Sequence, residues 1–121
     1  MRKLLVVDDE RDICDFVANF FGERGFEVFT ASSGEEALKV AKAEKPDIAL
    51  LDIKMEGMDG IATLKHLKDI DRNLKIIMVT ALEDQDKMNE ACRLGACEYI
   101  TKPLILDHLE QAVERNLEKQ L

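Results

Sequence analysis

The chain has 121 residues, of which 46% are hydrophobic and 35% are charged, and its formal net charge at pH 7 is −8. This length suits one domain with a single core, which we expect to occupy residues 1–121. No apolar run approaches the roughly 20 residues of a membrane span, and no secretory signal precedes Asp8, so we predict a cytoplasmic protein that does not enter membranes. The acidic balance argues against direct nucleic-acid binding and favours a soluble protein partner or a metal ion.

The cysteines are Cys14, Cys92 and Cys97, an odd number without the spacing of a metal site. We expect all three to be reduced and buried.

The first two predicted elements are a buried strand and an amphipathic helix. Residues 3–8 form an apolar run that ends in an acid. From Glu10 to about Arg24 apolar residues recur at helical spacing, and Gly25 is placed to end the helix. The residues expected to face the core are Ile13, Phe16, Val17 and Phe20.

Residues 26–31 alternate between apolar and polar, which is typical of an edge strand. Residues 33–36 have the form of a capping box, in which Ser33 opens a helix and Glu36 reaches back. The apolar face of this second helix is expected to contain Ala37, Leu38 and Ala41.

Residues 48–51 form a wholly apolar run between Pro46 and Asp52. Such a run is typical of a strand buried on both faces in the middle of a parallel sheet. A loop with two glycines, residues 54–60, follows it. Asp59 within that loop is placed to cap a third helix carrying Ile61, Leu64 and Leu67.

The last third of the chain repeats the alternation. Residues 75–80 predict a buried strand ending at Thr80, and a helix is expected from about Asp84 to Gly95. A short strand at residues 98–101 precedes Lys102-Pro103, and a final helix is expected to run to the end of the chain. The residues expected to face the core from these two helices are Met88, Ala91, Cys92, Leu106, Leu109, Val113 and Leu117.

Strand and helix thus alternate five times, which predicts an α/β fold: a doubly wound parallel sheet of five strands with helices on both faces. Four strands end in a reactive residue, and in this fold such ends open on one edge of the sheet. The residues concerned are Asp8 and Asp9, Asp52, Thr80 and Lys102.

This set of residues has a common chemistry. Three crowded carboxylates repel one another unless a cation is present, and an all-oxygen site with room for water suits Mg²⁺, with Mn²⁺ as a substitute. Bound Mg²⁺ attracts a phosphoryl group, and aspartate can accept one as an acyl phosphate. Lys102 would add positive charge and Thr80 a hydrogen-bond donor.

Each residue alone has an ordinary interpretation. Asp8 and Asp9 could cap the first helix, Thr80 could bond to backbone, and Lys102 could be an exposed turn lysine. Their joint arrangement favours a site.

The motifs resemble those of the receiver (response-regulator) domain of two-component signalling, the CheY-like type, over essentially the whole chain. They are Val6-Val7-Asp8-Asp9-Glu10, Leu50-Leu51-Asp52-Ile53-Lys54-Met55, Met58-Asp59-Gly60, Val79-Thr80-Ala81 and Tyr99-Ile100-Thr101-Lys102-Pro103. The resemblance implies a flavodoxin-like sheet of order 2-1-3-4-5 with five helices. The chain departs from the family pattern at Glu56, because the family usually has proline after the methionine that Met55 matches.

By the same resemblance Asp52 is the phosphoacceptor, Asp9 binds Mg²⁺ directly, Asp8 binds it mainly through water, and the Lys54 carbonyl is a further ligand. Thr80 and Tyr99 would be a switch pair, and Lys102-Pro103 a cis peptide. The implied donor is a sensor histidine kinase or a phosphotransfer protein. The implied output face comprises the fourth helix, last strand and last helix, available to a homodimer or another protein.

Three rival classes fit less well. A haloacid-dehalogenase-type phosphatase needs a second aspartate where Lys54 stands, and a flavodoxin-like electron carrier needs a phosphate-binding loop where Asp8-Asp9-Glu10 stands. A nucleotide switch needs a glycine-rich loop that the sequence lacks. We therefore expect a phosphorylation switch that catalyses its own modification rather than a classical enzyme. Whether the chain is complete or part of a longer regulator is left open.

Overall fold

The computed structural model describes residues 2–53, 59–80, 85–96 and 98–118. Strands and helices alternate throughout, as the sequence predicts. In chain order the elements are β1 (Lys3–Val7), α1 (Arg11–Gly22), β2 (Glu27–Ala31), α2 (Gly34–Glu44), β3 (Ile48–Asp52), α3 (Gly60–Ile70), β4 (Lys75–Thr80), α4 (Gln85–Arg93), β5 (Glu98–Thr101) and α5 (Leu106–Glu118).

The five strands form one parallel sheet in the order β2-β1-β3-β4-β5, which confirms the predicted topology. Val7 at the end of β1 pairs with Ala31 on one side and Leu51 on the other. Asp52 pairs with Val79, and Thr80 with Thr101. The carboxyl ends of all five strands therefore lie along one edge, which we call the carboxyl rim.

The central strands of the sheet are more deeply buried than the edge strand β2. Every residue of β3 is buried, and in β1 only Lys3 is not, because both faces of these strands are covered by helices. Strand β2 lies at the edge and is mostly half-buried or exposed. The interior has two apolar layers separated by the sheet: α1 and α5 cover one face, and α2, α3 and α4 cover the other.

The predicted helix boundaries are mostly confirmed. The Ser33 hydroxyl accepts a hydrogen bond from the Glu36 amide at 3.1 Å, and the Asp59 carboxylate accepts one from the Ala62 amide at 2.8 Å. The Glu36 carboxylate reaches back to the amide of Ser32, one residue earlier than a standard capping box requires. Asp84 and residues 119–121, predicted to belong to the last two helices, lie outside the described residues.

Two expectations about burial are wrong. Phe16, predicted to face the core, is 55% exposed, whereas Phe21 is fully buried, because helix α1 is turned so that Cys14, Val17 and Phe21 meet the sheet. Cys92 is also exposed, because α4 is turned so that Met88 and Ala91, predicted to face the core together with it, are buried while Cys92 faces away. Cys14 is buried, and both thiols are free, as expected. Cys97 lies outside the described residues.

Within the described ranges, no helix is both long and apolar enough to cross a bilayer.

Candidate metal centre

Three carboxylates meet at the carboxyl rim. Asp8 and Asp9 follow β1, Asp52 is the last residue of β3, and these two strands are neighbours. One oxygen from each acid lies within 4.8 Å of the others. Asp8 and Asp52 are each only 4% exposed, whereas Asp9 is exposed. The cluster is therefore buried on one side and open to solvent at Asp9.

Backbone and side-chain hydrogen bonds hold Asp8 in place. Its amide donates to the Ala31 carbonyl at 3.1 Å, and one carboxylate oxygen accepts from the Glu10 amide at 2.9 Å. Its carbonyl accepts from the Cys14 thiol at 3.3 Å. Asp8 is thus held in place through both its main chain and its side chain.

Lys102, which directly follows β5, also lies beside the three acids. Its amide donates to the Thr80 carbonyl at 2.8 Å, which extends the β4–β5 pairing by one residue. Its Nζ lies 3.3 Å from Oδ2 of Asp52 and 3.9 Å from Oδ2 of Asp8. The Lys102-Pro103 peptide is cis, as the resemblance implies.

The electrostatics of the cluster reflect burial and like charge. Burial is the main cause that raises the pKa of Asp8, and the neighbouring Asp52 carboxylate adds to it; against the opposing effects of the Glu10 amide and Lys102, the pKa reaches about 6. Burial also disfavours the charged form of Lys102, yet Asp52 and Asp8 outweigh that cost and raise the pKa of Lys102 above its usual value. The cluster is therefore short of positive charge.

The donor set fits a hard divalent cation. It consists of carboxylate oxygens, two buried and one exposed, and Mg²⁺ prefers a few carboxylates together with several waters. Burial and the nearby Asp52 carboxylate both disfavour the charged form of Asp8, and a cation bound among the three acids would stabilise that form.

The remaining predicted site residues have different outcomes. Thr80 is buried at the end of β4, beside the strand that carries Asp52. Tyr99 is 42% exposed on β5, and Met78 is its pairing partner on β4. Lys54, predicted to ligate through its carbonyl, and Glu56 lie outside the described residues.

The structure shows a role for Gly60 that the sequence did not predict. Gly60, the first residue of α3, lies directly against the backbone of Asp52 and Ile53, and its amide donates to the Ile53 carbonyl at 2.9 Å. The glycine itself was visible in the sequence as part of Met58-Asp59-Gly60, but the close approach of two backbones left no sequence signal.

This sheet order, with paired acids after β1, an acid ending β3 and a lysine after β5, defines the receiver class of domain. The family model described as the response regulator receiver domain matches residues 4–114, so the chain belongs to that family, whose members are the phosphoacceptor modules of two-component phosphorelays.

Its relatives include proteins of similar length and much longer ones. The chain is 39% identical to sporulation initiation phosphotransferase F of Bacillus subtilis, covering 95% of this chain and 93% of that protein. It is 36% identical to regulatory protein AtoC of Escherichia coli, covering 99% of this chain but only 26% of that protein. The receiver domain of NtrX from Brucella abortus superimposes with a TM-score of 0.89 at 36% identity, covering 95% of this chain and 98% of that one.

Proposed function

We propose that Asp52 accepts a phosphoryl group from a phosphohistidine on a sensor histidine kinase or phosphotransfer protein, in a step that requires Mg²⁺ or Mn²⁺. One observation carries this assignment. Asp52 ends the central strand with its carboxylate 3.3 Å from the Lys102 ammonium and clustered with the carboxylates of Asp8 and Asp9.

Asp8, Asp9 and Asp52 would hold the metal ion, together with the carbonyl of Lys54. When bound, the ion supplies positive charge that offsets the charge of the phosphoryl oxygens.

The residues of the chain supply the rest of the chemistry. A carboxylate oxygen of Asp52 forms a bond to phosphorus while the phosphorus–nitrogen bond of the donor breaks, and the electron pair of the broken bond stays on the imidazole nitrogen. Lys102, held beside Asp52 by the β4–β5 pairing, stabilises the incoming charge. Thr80 offers a hydroxyl to another phosphoryl oxygen. The domain thereby promotes its own phosphorylation, and its later dephosphorylation, without being a classical enzyme.

Phosphorylation would be read out on the face formed by α4, β5 and α5. The aspartyl phosphate adds charge and acceptor oxygens next to the end of β4, where Thr80 is buried. Thr80 would move toward the phosphoryl group and vacate space for the exposed ring of Tyr99. This shift biases a two-state equilibrium of the face, which then binds a second copy of the chain or another protein.

The family match over residues 4–114 and the negative net charge support the setting that we propose. Residues 1–121 form one receiver domain that acts in the cytoplasm. With a net charge of −8, this chain does not itself bind nucleic acid. Any such activity belongs to partners or to a longer protein.

Acetyl phosphate provides the test. With Mg²⁺, the intact mass of the wild type should increase by one phosphoryl group, and Asp52→Asn should show no increase. Asp69→Asn, which changes an exposed acid on α3, is the matched control and should be phosphorylated like the wild type. Phosphorylation of Asp52→Asn as readily as the wild type would show that the acceptor assignment is wrong.

A further inference from the structure

Helix α3 and the end of β3 meet at Gly60 without an intervening side chain. A Cβ added to Gly60 would lie 2.3 Å from the carbonyl oxygen of Asp52 and 2.5 Å from Cα of Ile53. Both neighbours are backbone atoms, so no change of rotamer could make room. Glycine is therefore the residue that permits this contact.

The Ile53 peptide is held from two sides. Its amide donates to the Val79 carbonyl on β4 at 3.1 Å, and its carbonyl accepts from the Gly60 amide at 2.9 Å. The first turn of α3 is itself anchored, since the Asp59 carbonyl accepts from both the amide and the hydroxyl of Thr63, at 3.0 and 2.8 Å. Any displacement of this turn would be passed to the backbone that carries Asp52.

We infer that Gly60 is a positioning residue for phosphoryl transfer: by lacking a side chain it lets α3 hold the Asp52–Ile53 backbone, which aims the Asp52 carboxylate at Lys102 and the other acids. It acts on the reaction through the backbone of Asp52. This inference rests on the proposed role of Asp52 as acceptor and adds the element that sets its position.

The expected size of the effect follows from the contact distances. An ordinary contact at this position needs about 3.4 Å, so an added Cβ at 2.3 Å would force the two backbones apart by about 1 Å. A misplacement of about 1 Å can cost roughly 10²-fold in rate. Gly60→Ala should therefore slow phosphorylation by acetyl phosphate at saturating Mg²⁺ by about 10- to 100-fold.

Two control variants separate positioning from stability. Gly22→Ala adds the same methyl group at the end of α1, where nothing lies within 4 Å, and should keep the wild-type rate. Leu67→Ala creates a cavity under the same helix α3 and should lower the melting temperature. At a temperature where it remains folded by circular dichroism, it should nevertheless react at close to the wild-type rate. A purely structural role for Gly60 predicts that Gly60→Ala behaves like Leu67→Ala, and that result would overturn the inference.

If Gly60→Ala does not fold, Thr63 provides the test. Thr63→Val removes the hydroxyl bond to Asp59 but keeps the shape and the amide bond. It should slow phosphorylation severalfold, and Thr63→Ser should restore the rate. A wild-type rate in Thr63→Val would then refute the inference. Failure of the wild-type protein to gain a phosphoryl group would instead refute the proposed function.

Discussion

The Nζ of Lys102 donates a hydrogen bond to Oδ2 of Asp52 at 3.3 Å although the two residues are 50 positions apart in sequence. The parallel sheet brings them together, since β3 and β5 flank β4 and all three end at the carboxyl rim. The Lys102 ammonium forms an ion pair with each of the buried carboxylates of Asp52 and Asp8. It should therefore assist the phosphoryl group and compete with a metal ion.

Replacing Lys102 with methionine should have two opposite effects. Phosphorylation by acetyl phosphate should slow by roughly 10²-fold, because a charge that stabilises the transferred group is lost. Mg²⁺ should bind about 5- to 10-fold more tightly, because a competing cation is removed. Calorimetry measures the affinity and intact mass measures the rate. Lys75→Met, at the opposite end of β4, should leave both unchanged. Weaker Mg²⁺ binding in Lys102→Met would contradict this account.

Removing the exposed acid of the cluster should weaken metal binding. Asp9→Asn is expected to raise the dissociation constant for Mg²⁺ at least about tenfold, since one of three carboxylates loses its charge. Asp12→Asn changes a nearby acid of α1 that lies outside the cluster and should bind Mg²⁺ like the wild type. Equal affinities for the two variants would exclude Asp9 from the site.

The raised pKa of Asp8 predicts how stability depends on pH without metal. Because the folded state holds the Asp8 proton up to about pH 6 while the unfolded state releases it near 3.8, stability from this group is lost as pH rises through that window. Asp8→Asn should therefore raise the free energy of unfolding at pH 7 by about 1–3 kcal/mol. Urea unfolding at several pH values measures the difference, which should shrink toward pH 4. A gain that is the same at every pH would point to a cause other than this titration.

Hydrophobic pattern and the alternation of elements were sufficient to predict a five-stranded parallel sheet, whereas its strand order came from the family resemblance. Long apolar runs identify β1, β3 and β4, and helices between successive strands require parallel pairing. The rotation of α1 was not predictable, because apolar residues at both Phe16 and Phe21 allow more than one face to be buried. Only packing against α5 and the sheet selects Phe21.

The sequence predicts those site residues whose position is set by the end of a strand. Asp8, Asp9, Asp52 and Lys102 converge because each follows a strand of one parallel sheet. The contact of Gly60 with the Asp52 backbone depends on how closely α3 approaches β3, a distance that no local pattern encodes. The exposure of Cys92 likewise depends on the rotation of α4, which its short apolar pattern left undetermined.

The sheet also divides the protein thermodynamically into two compartments. Phe21 belongs to the apolar layer under α1 and α5, and Leu67 belongs to the layer under α2, α3 and α4. Among the described residues, none belongs to both layers. Phe21→Leu and Leu67→Ala should therefore destabilise additively, to within about 0.5 kcal/mol. A substitution in one layer should then leave unchanged the loss of stability that a substitution in the other layer causes. The helices on the two faces of the sheet can therefore change in sequence independently of each other.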